Sequence, residues 1–312
     1  MMKNKLYALA SLLILLMMSC KNEIKNKAQV GKKDLVQVKH ELGNSKVPKE
    51  PQKVYVFDMG SLETLADLGI PVAGIPKDFV PTHLKSYLEN THVVDVGSIL
   101  QPNLEKLSTE NADLIIISSL HASDYKALTS IAPTVSLGVD SRNYTASVLK
   151  NLATIGNIFG VSEITDQKIA LLKADLEAAK KIIAPSQKKI MLLMYNSGAF
   201  STFGPQARYS FVFNDLQAKS AANTEDTSTH GTVISSEYIS KANPDILFII
   251  DRNEIMDGVK TNPKDVENAL IQKTKAYKNK QIYYLDPNIW YISGGGTYSM
   301  KHMITDIQQA YY

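Results

Sequence analysis

The chain has 312 residues, 44% of them hydrophobic and 21% charged, with a formal net charge of +3. This is ordinary globular material, long enough for one large domain or two smaller ones, and so small a net charge gives no ground for a nucleic-acid partner. Only three of the 34 basic residues are arginine, at positions 142, 208 and 252; generic solvated charge is carried by lysine, and an arginine in such a chain points to work that lysine does poorly, such as gripping a planar anion through a bidentate fork.

At the N-terminus Lys3 and Lys5 precede an apolar run, Leu6 to Met18, broken only by Ser11. Its length suits the apolar core of a signal peptide and is short for a membrane span. Cys20, the single cysteine, follows Ser19 directly. The arrangement resembles a bacterial lipoprotein signal, with Met17 and Met18 departing from the usual residues ahead of the cysteine. Residues 1–20 are therefore expected to be a signal peptide, with Cys20 lipidated (palmitate included) as the new N-terminus. Residues 21–50, rich in Lys, Asn, Gln and Glu, read as a flexible tether carrying one short strand at Leu35 to Val38.

Folding proper is expected from Pro51. Val54 to Phe57 is a short β-rich run, followed by Asp58, Gly60 and a helix through Leu62, Leu65 and Leu68 that stops at Gly69. Val72 to Gly74, Val93 to Val96, Leu114 to Ser118 and Thr134 to Leu137 are further apolar runs alternating with helical segments, the pattern of an α/β chain with a mostly parallel sheet. Tyr144 to Phe159 gives another helix, closed by Gly160. A long amphipathic helix follows from Ser162 to Ile183, with Ile169, Leu172, Leu176, Ala179 and Ile183 on one face, Ser162 as N-cap, Asp166 in the first turn, Lys180 and Lys181 in the last, and Pro185 beyond. Such a rod spans about 30 Å, the width of a small domain, and could join two lobes. After it, Ile190 to Tyr195, Ile246 to Ile250 and Ile282 to Leu285 are strand candidates.

The two sides of this helix match. Glu105-Lys-Leu-Ser-Thr-Glu-Asn-Ala-Asp113 and Glu237-Tyr-Ile-Ser-Lys-Ala-Asn-Pro-Asp245 share Glu, a branched apolar residue, Ser, Asn and Asp in order and spacing, each ahead of an apolar strand. An internal repeat of a helix-turn-strand unit is the simplest account. The expected division is an N-terminal lobe at 51–161, a connecting helix at 162–185 and a C-terminal lobe at 186–312.

Candidate site residues lie mostly in the second half. Arg208, in Phe203-Gly-Pro-Gln-Ala-Arg-Tyr, follows a predicted strand, and Arg252, in Phe248-Ile-Ile-Asp-Arg-Asn, ends another; open α/β sheets bind ligands at such strand ends. His230 follows a polar segment, and Trp290-Tyr291 stands ahead of Gly294-Gly295-Gly296, which has no following Lys-Ser/Thr and so is not a phosphate loop but a place of close backbone approach. The other histidines show no metal-ligand spacing, and no Ser-His-Asp order, P-loop or metal-hydrolase motif supports an enzyme.

Two similar α/β lobes, a long connecting helix and a lipoprotein signal together resemble the substrate-binding lipoproteins of bacterial ABC importers, in the long-helix class III that serves iron-siderophores, vitamin B12 and haem. The resemblance implies two Rossmann-like lobes joined by one helix, no catalysis, no intrinsic cofactor, and a monomer tethered by lipid to the extracytoplasmic face of a membrane. It also implies that Glu105 and Glu237 contact the permease, which works with its ATPase. The arginine motifs resemble those of catecholate-siderophore binders, including petrobactin-type proteins, in which the corresponding arginines, here Arg208 and Arg252, contact the catecholates, with Trp290 nearby. In the branch that takes tetradentate siderophores, one His and one Tyr complete the iron sphere, and this sequence matches at His230 and Tyr291. Relatives carry a third arginine where this chain reads Ser118-Ser-Leu-His121, so His121 is at best a pH-dependent substitute and a tris-catecholate fits poorly. The ligand expected is a ferric siderophore of catecholate type; haem or cobalamin is the alternative on the same fold.

Overall fold

The computed structural model describes residues 34–223, 228 and 230–312. The signal peptide, Cys20 and the first part of the expected tether lie outside the described residues. In the remainder of that tether the strand expected at Leu35 to Val38 is present, extended to His40, and a second strand pairs with it. Strands β1 (Leu35–His40) and β2 (Gly43–Pro48) form an antiparallel hairpin in full register. Val38 and Val47 enter the core, while the other inward positions are His40 and Ser45, hydrogen-bonded to each other at 3.0 Å, with Ser45 Oγ donating to the Thr134 carbonyl. Satisfied polar residues can take buried strand positions, and here they hide the alternation that marks a strand in sequence.

Strands β3 (Val54–Val56), β4 (Gly74–Ile75), β5 (Val94–Asp95), β8 (Leu114–Ile117) and β9 (Thr134–Ser136) make an all-parallel sheet in the order β5-β4-β3-β8-β9, with a small hairpin of β6 (Gly97–Ser98) and β7 (Gln101–Pro102) beside it. All four residues of β8 are buried, as a strand covered on both faces requires. Helix α1 (Met59–Asp67) starts at the carboxyl end of β3, where the Asp58 carboxylate caps it by accepting from Ser61 N and Oγ at 2.8 and 2.6 Å.

Helices α2 (Leu104–Thr109) and α3 (Tyr144–Phe159) also belong to this lobe, α3 ending on left-handed Gly160. The long helix α4 spans Ser162–Ile183. Its N-cap is Val161 rather than Ser162, with no side-chain cap, and Glu163 stands in the first turn. Leu172, Leu176, Ala179 and Ile183 are buried in the core of the second lobe, and α4 also packs along α3.

The second sheet adds two antiparallel strands to a parallel core. Strands β10 (Lys189–Asn196), β14 (Ile246–Asp251) and β15 (Ile282–Leu285) run parallel, as does the short β12 (Lys219–Ser220) against β10. β11 (Ala199–Phe203) folds back on β10, and β13 (Thr232–Ile234) pairs antiparallel with β11. The reversal is a two-residue turn, Ser197-Gly198, with φ of 48° and 88°; positive φ at both positions matches strand twist and makes a tight hairpin.

The repeated units superpose in detail. Leu107 on α2 and Ile239 on α5 (Ser236–Ala242) are fully buried, and Asn111 and Asn243 both adopt left-handed backbone, φ 55° and 48°. Asp113 Oδ2 then accepts from Gln52 N and Lys53 N, each at 3.0 Å, and Asp245 Oδ2 accepts from Lys189 N at 2.8 Å. Asp113 thus clamps the two residues just before β3, and Asp245 the first residue of β10. This is one structural unit used twice.

Helix α6 (Arg252–Met256) follows β14, and α7 (Thr297–Gln309) closes the chain against α4 and α1. Gly294-Gly295-Gly296 does make a close backbone approach, and its partner is α1: a Cβ on Gly60 would lie 2.7 Å from the Ser293 carbonyl and 2.9 Å from Gly296 N. Beside it the buried Glu63 accepts from Ser299 N and Oγ, both at 2.6 Å, and from His83 Nε2 at 2.8 Å.

Candidate functional site

The site draws on the carboxyl ends of the parallel strands β10 and β14 and on the loop that follows the antiparallel β11. Arg252 stands immediately beyond β14, where Asp251 is buried and fixes the turn by accepting from Asn253 N at 3.1 Å and from Thr261 N and Oγ1 at 2.6 and 2.8 Å. Arg208 follows β11 on a loop anchored by the buried Tyr209, whose hydroxyl donates to the Trp290 carbonyl at 2.9 Å. Tyr291 lies between them on a π-helical turn, Asn288–Ser293. Such turns widen the backbone locally and re-aim side chains.

Arg252 Nε donates to the Tyr291 hydroxyl at 2.9 Å and Nη1 to Asn196 Oδ1 at 3.1 Å; Arg208 Nη2 donates to the Tyr291 carbonyl. The Tyr291 ring has the Arg208 guanidinium 5.0 Å from its centroid and the Arg252 guanidinium 5.6 Å away, within cation–π range. Both arginines are half-buried, and among the described residues neither forms a salt bridge. Two positive charges held on neutral partners are a site for an anion. Asn196, which holds Arg252, was not singled out by sequence; its signal is its place at the end of β10 just before the Ser-Gly turn.

His230 is exposed, with its N–H donating to Ser228 Oγ at 3.2 Å, on the turn that enters β13. The next residue must be glycine: Gly231 has φ 75°, and a Cβ there would come 2.7 Å from the Thr202 carbonyl and 3.0 Å from the Phe203 ring. That contact brings the turn to the end of β11, the strand that leads to Arg208.

Two expected ligand contacts are corrected. His121 is 0% exposed, its Nε2 donating to the Ile99 carbonyl at 2.8 Å and its ring edge-on to Phe57 at 5.3 Å. Burial depresses its pKa, only partly opposed by the bond to Ile99, so it is a neutral core residue and no substitute for a cation. Trp290 is likewise 0% exposed; its indole N–H donates to Asp306 Oδ2 at 2.8 Å, and Tyr209 and Phe211 pack on it. It backs the site from the core and does not line it.

Glu105 and Glu237 stand in the first turns of α2 and α5, exposed, each two residues after the N-cap, Asn103 and Ser235 respectively. The Ser235 hydroxyl holds the Glu237 carboxylate below its ordinary range. Across the described residues no cluster of His, Cys, Asp or Glu could hold a metal ion by itself.

Residues 54–289 match the sequence pattern of the periplasmic binding protein family. The chain belongs to that family. Its members bind substrates rather than transform them. Among the relatives, the ferric-anguibactin-binding protein FatB of Vibrio anguillarum is 37% identical over 279 residues, covering 88% of this chain and 87% of its own. The petrobactin-binding protein YclQ of Bacillus subtilis is 37% identical over 313 residues, covering 99% and 98%. The structure of the siderophore-binding protein BauB, bound to a complex of two acinetobactin molecules and ferric iron, matches with a TM-score of 0.84 at 35% identity over 89% of this chain and 99% of that one. The periplasmic binding protein architecture here is the class III form, two α/β lobes joined by one long helix.

Proposed function

We propose that this periplasmic binding protein captures a ferric siderophore of catecholate type between its lobes and delivers it to an ABC permease and its ATPase. The observation that carries the reading is the pair of half-buried guanidiniums gathered on Tyr291, Arg252 on its hydroxyl and Arg208 on its carbonyl, with no carboxylate counter-ion among the described residues. A ferric catecholate is a bulky anion whose oxygens suit those donors. In this reading His230 and Tyr291 supply imidazole and phenolate oxygen to an iron left unsaturated by a tetradentate ligand. FatB, YclQ and BauB, each bearing a ferric or siderophore ligand in its name, support the ligand class. Glu105 and Glu237 present one carboxylate per lobe to basic residues of the permease, and lipidated Cys20 holds the protein at the extracytoplasmic face of the membrane.

Titration with the ferric complex of a bis-catecholamide, read by quenching of the single tryptophan, Trp290, tests the reading. Saturable quenching is expected, with a charge-transfer band that shifts in His230→Ala and Tyr291→Phe. Binding of haem or cobalamin with no response to any ferric chelate would overturn it. Glu105→Ala with Glu237→Ala is expected to abolish uptake in cells and leave ligand affinity intact. Cys20→Ala is expected to release the protein from the membrane fraction.

A further inference from the structure

The two arginines without a carboxylate partner among the described residues lie on one side of this cleft, whereas Arg142, on the segment after β9 in the first lobe, pairs with Asp140 at 3.6 Å. Arg208 and Arg252 belong to the second lobe. On the first lobe, the charged groups at the carboxyl ends of the strands are already engaged: Lys77 Nζ reaches the Leu88 and Asn90 carbonyls at 3.5 and 3.2 Å, and Asp78 accepts from Ser98 Oγ at 2.6 Å and Ile99 N at 3.0 Å. His121 is buried on the Ile99 carbonyl. Asp58, at the end of β3, adds a carboxyl to the same rim.

What these loops turn outward is apolar. Leu100 is 69% exposed and Leu120 is 62% exposed. Neither is a floppy loop residue. Leu100 N donates to Ser98 Oγ at 3.1 Å and Leu120 N to Ser118 Oγ at 3.4 Å. The His121–Ile99 bond joins the residues next to them, so one hydrogen bond ties both leucines to one rim. The carboxyl end of β3, the strand that pairs with β8, meets the 293–296 loop after Tyr291 through Gly60 at the start of α1. Large apolar side chains held out on a braced rim beside an anion site are there to be covered.

We propose that Leu100 and Leu120 determine specificity by forming an apolar wall, and that the ligand is a ferric chelate of low net charge. It turns its catecholate edge to Arg208 and Arg252 and an uncharged, apolar edge to the two leucines. The inference rests on the proposed function and narrows its substrate class. Two guanidiniums neutralise a singly or doubly charged complex, whereas a trianion would press its third charge against leucine with no partner, and a desolvated unpaired charge is strongly disfavoured.

The test compares two probes by Trp290 quenching: the monoanionic ferric complex of a linear bis-catecholamide and the trianionic ferric complex of a hexadentate tris-catecholamide. The wild-type protein is expected to prefer the monoanion by about tenfold or more, and Leu120→Arg to move the ratio toward the trianion by about tenfold, the size of one charge-assisted contact. Leu100→Ser with Leu120→Ser should weaken the monoanion and leave the trianion nearly unchanged. Both sites are exposed, and circular dichroism verifies folding; Leu100→Arg serves as the second charge-adding variant. Equal or tighter wild-type binding of the trianion, or a preference that stays within about twofold in every variant, overturns the apolar wall and leaves the site reading standing. If neither ferric probe binds, the proposed function falls and the wall with it.

Discussion

Tyr291 is already held between two cations before any ligand arrives. Its hydroxyl accepts from Arg252, its carbonyl from Arg208, and Asn196 fixes the far end of the Arg252 fork. Lysine keeps the charge of either arginine and loses the fork, so Arg208→Lys and Arg252→Lys should each weaken a ferric bis-catecholate by about tenfold or more in a fluorescence titration. Loss of less than about twofold in both would remove them from anion recognition. His121 sets a separate pH dependence. Its folded-state pKa lies below the ordinary imidazole value because of burial, so between those two values the unfolded chain binds more protons than the folded one. Stability should fall as pH drops from about 6.5 toward the depressed value and level off below it. Melting curves from neutral to acidic pH should show a smaller loss in His121→Phe than in the wild-type protein.

At the scale of elements, the clamp aspartates carry the most local weight. Asp113 and Asp245 each accept a backbone N–H at the start of a neighbouring strand. Truncating one removes the acceptor of these solvent-exposed donors at the amino end of a central strand, a cost of about 0.5–1.5 kcal/mol. Asp113→Ala and Asp245→Ala should therefore destabilise by similar amounts and add when combined, because they act on different sheets; urea unfolding measures all three. Gly231→Ala should cost more than a surface glycine, since it combines left-handed backbone with a Cβ driven onto the Thr202 carbonyl. These units also show what could be read from the chain. The Glu-to-Asp repeat, α4 and the parallel strands were legible because apolar spacing and turn residues are local signals. Of the β1–β2 hairpin only the strand at Leu35 to Val38 was, since His40 and Ser45 occupy inward positions by bonding each other across the hairpin, with Ser45 also donating to the distant Thr134 carbonyl. The reversal of β11 depended on Ser197 taking positive φ, which its residue type does not announce. At the site, arginine scarcity marked Arg208 and Arg252, but whether His121 and Trp290 faced in or out was settled by Ile99 and Asp306, far away along the chain.

At the scale of the molecule, the lobes are joined by more than α4. Gly60 seats against Ser293 and Gly296, Glu63 is buried under Ser299, and Asp67 accepts from Thr297 Oγ1 and pairs with Lys168 on α4, both at 2.8 Å. A helix and a backbone-to-backbone seat together resist wide opening. Small-angle scattering with and without a ferric chelate should show a small compaction; a large one would contradict a rocking motion about this seat. The one-sided placement of this arginine pair then has a consequence in time. Arg208 and Arg252 sit on one lobe and act at a distance through a field that salt screens, whereas the leucines act only on contact. Capture should therefore be a two-step event in stopped-flow traces: a bimolecular phase that slows as ionic strength rises, followed by a concentration-independent phase. Leu120→Ser should speed release with little effect on the first phase. The lobe that attracts the ligand and the lobe that retains it are then different halves of one duplicated design.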